Sequence, residues 1–245
     1  MAIFKTLKWL ALLILICCGS VALAKASATP ASDALDILQR AQTAYASGRF
    51  REALNQYELA AARGDATAMF QLGVMHERGE GVPANIAAAA IWYRRSAESG
   101  SVSAMKRLAN MYLDGQGVEK DFSAAAKLYQ RAGSAGDANS LFLLGQLYWK
   151  GEYAERQPEL AMKTFEQCAK LAHANCMNAL GIGYRLGDGV EKNDALAYAY
   201  FKLAMEFGDR VAGDNLAQLS SRLVASDRAL GEELASKIRK AIRRP

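Results

Sequence analysis

The sequence predicts an all-α protein, a right-handed α-solenoid of helix-turn-helix repeats, and two observations carry that prediction. The first is a period: Leu72, Leu108, Leu144 and Leu180 stand 36 residues apart without a slip. In step with them run the small residues Gly73, Ala109, Gly145 and Gly181, the glycines Gly79, Gly115, Gly151 and Gly187, the alanines Ala89, Ala125, Ala161 and Ala197, and the aromatics Tyr93, Tyr129, Phe165 and Phe201. Self-similarity at this length is the signature of a stacked repeat array. The second observation is that each column has a task in a pair of antiparallel helices. Glycine after the first helix suits a positive φ at a C-terminus, and Asn85, Asp121 and Asn193 stand where the second helix needs an N-cap. In the third unit Gln157 takes the cap position and Pro158 follows at N1. The small-residue column lets the second helix approach closely, with the alanine column as its expected partner. Neither helix buries its apolar stripe alone, so neighbouring units must stack.

Read in order, the chain of 245 residues opens with Lys5 and Lys8, the apolar run Trp9 to Cys18, and the small-residue tripeptide Ala22-Leu23-Ala24. That pattern predicts a secretory signal over residues 1–24, cleaved near Ala24, and hence a bacterial periplasmic or secreted protein. A retained membrane anchor is the competing reading, but it needs about 20 uninterrupted apolar residues, and Gly19 and Ser20 break the run. Lipidation at Cys18 is a third, weakened because Cys17 rather than a small residue precedes it. Cleavage removes Lys5 and Lys8, so the formal charge falls from +5 to +3, which gives no reason to expect nucleic acid as a partner. It also leaves Cys168 and Cys176 as the remaining pair of four cysteines, and in an oxidising compartment one bridge is the expectation; two buried free thiols are the alternative.

Residues 25–31 read as a linker. Residues 32–64 form a first unit, since Ala53, Tyr57 and Gly64 precede Ala89, Tyr93 and Gly100 by one period, although its turn is a short Ser47-Gly48-Arg49. Four full repeats follow over 65–100, 101–136, 137–172 and 173–208. The second helix of the first unit ends at Gly64 and those of three repeats at Gly100, Gly136 and Gly208, and Asp65, Ser101, Asp137 or Asp209 caps the first helix that follows. Residues 209–245 decay from the pattern into two capping helices, predicted over Asp209 to Ala225 and Asp227 to Arg244.

The segments Ala68-x-x-x-Leu72-Gly73-x-x-x-x-x-Gly79-x-Gly81-Val82 through Ala89-x-x-x-Tyr93, and Ala174 through Gly208, resemble the Sel1-like repeat family, relatives of the tetratricopeptide repeats; residues 32–64 look like a tetratricopeptide-type unit. The third repeat departs from the pattern, with Tyr153 and Ala154 in place of the loop's Gly-Val, so its turn is expected to differ. Cys168 through Cys176 resembles the bridged repeats of the Helicobacter cysteine-rich proteins, which implies a Cys168–Cys176 disulfide from one second helix to the following first helix. In the preceding units Ser96 with Ala104 and Ala132 with Ser140 hold those positions, so one unit alone is stapled.

Catalytic signals are sparse. Ser103-x-x-Lys106 matches the opening motif of penicillin-binding enzymes, and some cysteine-rich relatives bind penicillin-like compounds, but the companion S-D-N and K-T-G motifs are absent. There is no H-E-x-x-H, no G-x-S-x-G and no phosphate loop. Of two histidines, His76 occupies a column otherwise held by Tyr112, Tyr148 and Tyr184, and His173 is the lone nitrogen ligand near the cysteines, short of the four ligands of structural zinc. No cofactor, metal or catalytic residue is expected. The basic tail, Lys237, Arg239, Lys240, Arg243 and Arg244, suits either a solvated helix end or weak peripheral contact with anionic lipid.

Tetratricopeptide-like arrays bind along a concave face lined by first helices. The variable columns flanking each Leu-Gly pair are Phe70, Lys106, Phe142 and Asn178 on one side and Val74, Asn110, Gln146 and Ile182 on the other, with Trp149 and Lys150 one turn on. If exposed, Phe142 and Trp149 are anchor candidates; they serve equally as core. Three functions follow: an adaptor gripping a peptide or protein, a glycan or peptidoglycan binder, or an enzyme on cell-wall or β-lactam substrates. The first is the expectation.

Overall fold

The computed structural model describes residues 30–242, and among these it contains twelve α-helices and no strand. The expected signal over 1–24 lies outside the described residues, as do Arg243 and Arg244 of the tail. The helices are α1 (Pro30–Ala46), α2 (Phe50–Ala62), α3 (Ala66–Arg78), α4 (Ile86–Glu98), α5 (Val102–Asp114), α6 (Phe122–Ser134), α7 (Ala138–Lys150), α8 (Pro158–Ala169), α9 (Ala174–Leu186), α10 (Asp194–Glu206), α11 (Arg210–Ser220) and α12 (Ala225–Ala241). The chain folds as an α-solenoid. The described residues divide into two compact units, the first ending at Ala84 and the second beginning at Asn85.

Four helix boundaries shift from the sequence expectation. Helix α1 begins at Pro30, inside the predicted linker, because proline is preorganised for the first helical position and nothing after it breaks the helix. The C-terminal helices are shorter than predicted: α11 stops at Ser220, and α12 runs from Ala225 to Ala241.

In the first unit Tyr45 of α1 stands edge-on to Phe50 and Tyr57 of α2, at 5.4 and 6.4 Å between ring centroids. Its hydroxyl donates to Glu80 at 2.7 Å, tying α1 to the loop after α3. In the second unit the repeat grammar holds at atomic detail. The side chains of Asn85, Asp121 and Asn193 accept from the amides of Ala88, Ala124 and Leu196 at 2.9 Å, capping α4, α6 and α10. Ser101, Asp137 and Asp209 cap α5, α7 and α11, as Asp65 caps α3 in the first unit. Gln157 makes no side-chain cap bond, so α8 starts on Pro158 alone.

The core runs along the aromatic column, with Tyr93, Tyr129, Phe165 and Phe201 all at 2% exposure or less. The nearest neighbour of the small column is the aromatic column of the second helix. A Cβ placed on Gly145 would sit 2.4 Å from the Phe165 ring, and one on Gly181 2.5 Å from Phe201. The small residue therefore makes room for the aromatic of the second helix. Close approach also explains the second loop glycine: a Cβ on Gly117 would lie 2.6 Å from the carbonyl oxygen of Ile86, and one on Gly189 2.3 Å from that of Pro158. Each loop is seated on the first residues of the preceding unit's second helix. Tyr153 replaces that glycine in the third repeat, and there Phe122 packs edge-on against Tyr148 at 5.8 Å instead.

Candidate functional site

On the first-helix side of the second unit, α7, α9 and the start of α11 enclose a groove of about 340 Å³. Phe142, Gln146 and Trp149 come from α7, Asn178 and Ile182 from α9, and Asp209 and Val211 from the α11 end; Phe165 closes the floor. Five of the ten residues expected on the binding face thus meet in one place. They do so because positions 142, 146 and 149 share one stripe of α7, and 178 and 182 the equivalent stripe of α9.

Both aromatics are half-buried rather than exposed. Phe142 lies 6.2 Å from Phe165 and 5.4 Å from the His173 ring. Trp149 lies 5.3 Å from Phe165, and its indole N–H donates to Asp188 at 2.6 Å. Asp188 also holds Arg156, whose Nε donates to the Trp149 carbonyl at 2.7 Å. This latch fixes the tryptophan as a wall. Asn178 accepts from Asn215 of α11 at 3.0 Å.

A smaller cleft of about 180 Å³ adjoins it through Gln146, which lines both, and brings in Asn110 and Lys150. Asn110 is committed internally, accepting the Tyr129 hydroxyl bond; burial first, then the charges at Asp114 and Tyr153, push that phenol up to about 12. Lys150 is exposed and 3.5 Å from Glu152. Lys106 pairs with Asp137 at 3.4 Å. Burial alone would raise the Asp137 carboxyl, but hydrogen bonds from Ser140 and the Lys106 charge outweigh it and leave it below the usual carboxylate range. Phe70 and Val74 lie half-buried on α3 of the first unit.

Cys168 and Cys176 are joined by a disulfide across a Cα–Cα distance of 6.0 Å, both fully buried. The sulfurs and a His173 nitrogen lie within 4.8 Å of one another, but bonded sulfurs are not thiolate ligands. His173 opens α9 without a side-chain cap bond, its Nε2 3.0 Å from Asn139 Oδ1. Burial holds its imidazole below the ordinary range, against the raising influence of Asp137.

Sequence reasoning passed over three features. Asp188 and Arg156 sit in loops, and their pairing with Trp149 joins positions outside the columns. Val211 and Asp209 enter the groove from a helix read only as a cap. Ala172, with φ 62°, is the one non-glycine residue of positive φ among those described; the signal for it was present, since it stands where the neighbouring units place Gly136 and Gly208.

The Sel1 repeat model matches residues 66–101, 102–137, 138–173 and 174–206. Among solved structures, the chain is similar to a protective antigen with an SLR fold from uropathogenic Escherichia coli, at 26% identity and a TM-score of 0.63, covering 78% of this chain and 41% of that one. It is also similar to a Sel1 repeat protein from Oxalobacter formigenes, at 25% identity and a TM-score of 0.58, covering 74% of each chain. The chain thus spans less than half the length of the E. coli antigen. No curated protein matches it.

Proposed function

Because the chain belongs to the Sel1 repeat family, we propose that it is an exported, non-enzymatic scaffold that grips a peptide or protein segment in the groove between α7, α9 and α11. The observation that supports this most is the groove's make-up. An aromatic floor and walls are combined with the amides of Gln146, Asn175 and Asn178, an apolar site with a few placed polar groups. Amide side chains both donate and accept, which is what the backbone of an extended segment requires. Trp149 weighs against a sugar platform, because its ring packs at a tilt against Phe165 and its N–H is spent on Asp188.

One contact weighs against the enzyme reading. Lys106 is engaged with Asp137, and a labelled penicillin that acylated the wild type and not Ser103→Ala would revive it. Export rests on the leader-like start of the sequence; no helix among the described residues is long and apolar enough to cross a membrane. The basic tail is assigned no role beyond weak peripheral contact with anionic lipid.

The test is photo-crosslinking through position 146 in living cells, with Trp149→Ala as the competitor variant. A saturable protein adduct lost in that variant supports the scaffold; sacculus pull-down without any protein adduct would replace it by the glycan reading.

A further inference from the structure

On the opposite, second-helix side of the same unit, two clefts occupy the same place in the repeat. One, about 230 Å³, is lined by Glu166 and Ala169 of α8, by Lys170 just after it and by Tyr200 of α10, and is walled by Ile238 and Ile242 at the end of α12. The other, about 300 Å³, is lined by Arg94, Ala97 and Glu98 of α4 and Leu128 of α6. These four are the counterparts of the first four, each two periods earlier in the sequence. At the intermediate position, Gln130 and Gln167 bridge the two helices with a hydrogen bond of 3.1 Å.

The C-terminal cleft shows what this location accepts. Helix α12 packs on α10 and walls it on one side, seating Ala235 and Ile238 on the core, while Glu232 takes bonds from Tyr198 and Lys202 and Arg239 pairs with Glu206 at 2.6 Å. The upstream cleft has no such cover among the described residues, and its walls are charged differently. Where α10 has the buried Ala199 and Leu203, α6 has the exposed Lys127 and Arg131. Arg94 donates to the Tyr112 hydroxyl at 3.0 Å and Arg131 to the Ala97 carbonyl at 3.1 Å. Neither they nor Lys127 pairs with a carboxylate among the described residues. Three cations with Glu98 as the one counter-charge surround an apolar floor that includes Leu108 and Leu128.

We propose that this α4–α5–α6 cleft is the docking site for an acidic amphipathic helix of a partner protein, seated on α6 as α12 is seated on α10. The apolar floor takes the helix's apolar stripe, and the arginines take its carboxylates in the planar, two-pronged geometry that guanidinium favours. A second copy of this chain is the wrong occupant, since α12 carries Arg228, Lys237, Arg239 and Lys240 against Asp227, Glu232 and Glu233. The site is separate from the groove proposed above and stands or falls without it.

The test uses the full chain and two fluorescein-labelled peptides spanning 225–241, confirmed helical by circular dichroism. One has the native sequence; the other carries Arg228→Glu, Lys237→Glu, Arg239→Glu and Lys240→Glu. Fluorescence anisotropy is expected to show the acidic peptide binding at least about tenfold more tightly, and Lys127→Glu or Arg94→Glu weakening it by about tenfold or more. Both charge-reversed positions are exposed, and melting curves check that the variants fold. Equal affinity for the two peptides, indifference to both charge reversals, or no binding of the acidic peptide would overturn the proposal.

Discussion

Two kinds of turn join one repeat to the next, and they reach the same geometry by different means. At Gly136 and Gly208 the chain takes φ of 98° and 102°, which glycine adopts at no steric cost, and an aspartate then caps the next helix. At 170–173 an alanine takes the left-handed conformation, α8 ends one residue earlier than its 13-residue neighbours, and His173 supplies no cap. A disulfide spans this turn and no other. The bridge holds in place a junction whose local sequence is less suited to it, so the stability of this turn depends on a covalent bond where the others depend on residue choice.

The largest effect that would separate the two turns comes from Cys168→Ala with Cys176→Ala. Losing closure of so short a loop costs about 2 to 3 kcal/mol, read as a lower urea midpoint, with reductant producing a comparable shift in the wild type and none in the variant. Next is Gly136→Ala: a Cβ there meets nothing within 4 Å, so the cost is backbone strain alone, about 1 to 2 kcal/mol. A loss near zero would show that the left-handed position is not strained for alanine and would dissolve the comparison. The reciprocal change, Ala172→Gly, is expected to stabilise the bridged protein by up to about 1 kcal/mol, the relief of strain less the entropy of a freer unfolded chain, and to recover part of the loss in the cysteine-free variant.

The smallest effect is on pH dependence. His173 has its pKa lowered on folding, so the unfolded chain binds the proton more readily. Stability is then full above the unfolded value of 6.5 and falls as pH drops below it through the folded value. Urea midpoints measured from about pH 7.5 down to 5 should decline in the wild type and flatten in His173→Gln; identical slopes would remove His173 as the cause.

The period, the caps and the aromatic core were legible because each depends on residues at fixed offsets along the chain. Asn85, Asp121 and Asn193 could be assigned from position alone, since an N-cap bonds an amide three residues away. The groove was legible only as a stripe. Lys106 with Asp137, Tyr129 with Asn110, and Trp149 with Asp188 couple non-equivalent columns 31, 19 and 39 residues apart, and no periodicity announces them. The Gly145–Phe165 contact was missed for a related reason: a column of small residues states that something approaches, not what does. Ala172 is the converse case, a departure inside a column whose meaning depends on the φ its neighbours adopt.

The seating of Gly117 on the Ile86 carbonyl and Gly189 on the Pro158 carbonyl bears on how such a chain can change length. A residue inserted in either loop would carry the glycine off its seat and bring a side chain against backbone that leaves no room for one. Deleting a single residue would do the same. At these two loops growth or shortening therefore fits best in whole modules, each bringing its own loop and the helix start that receives the next.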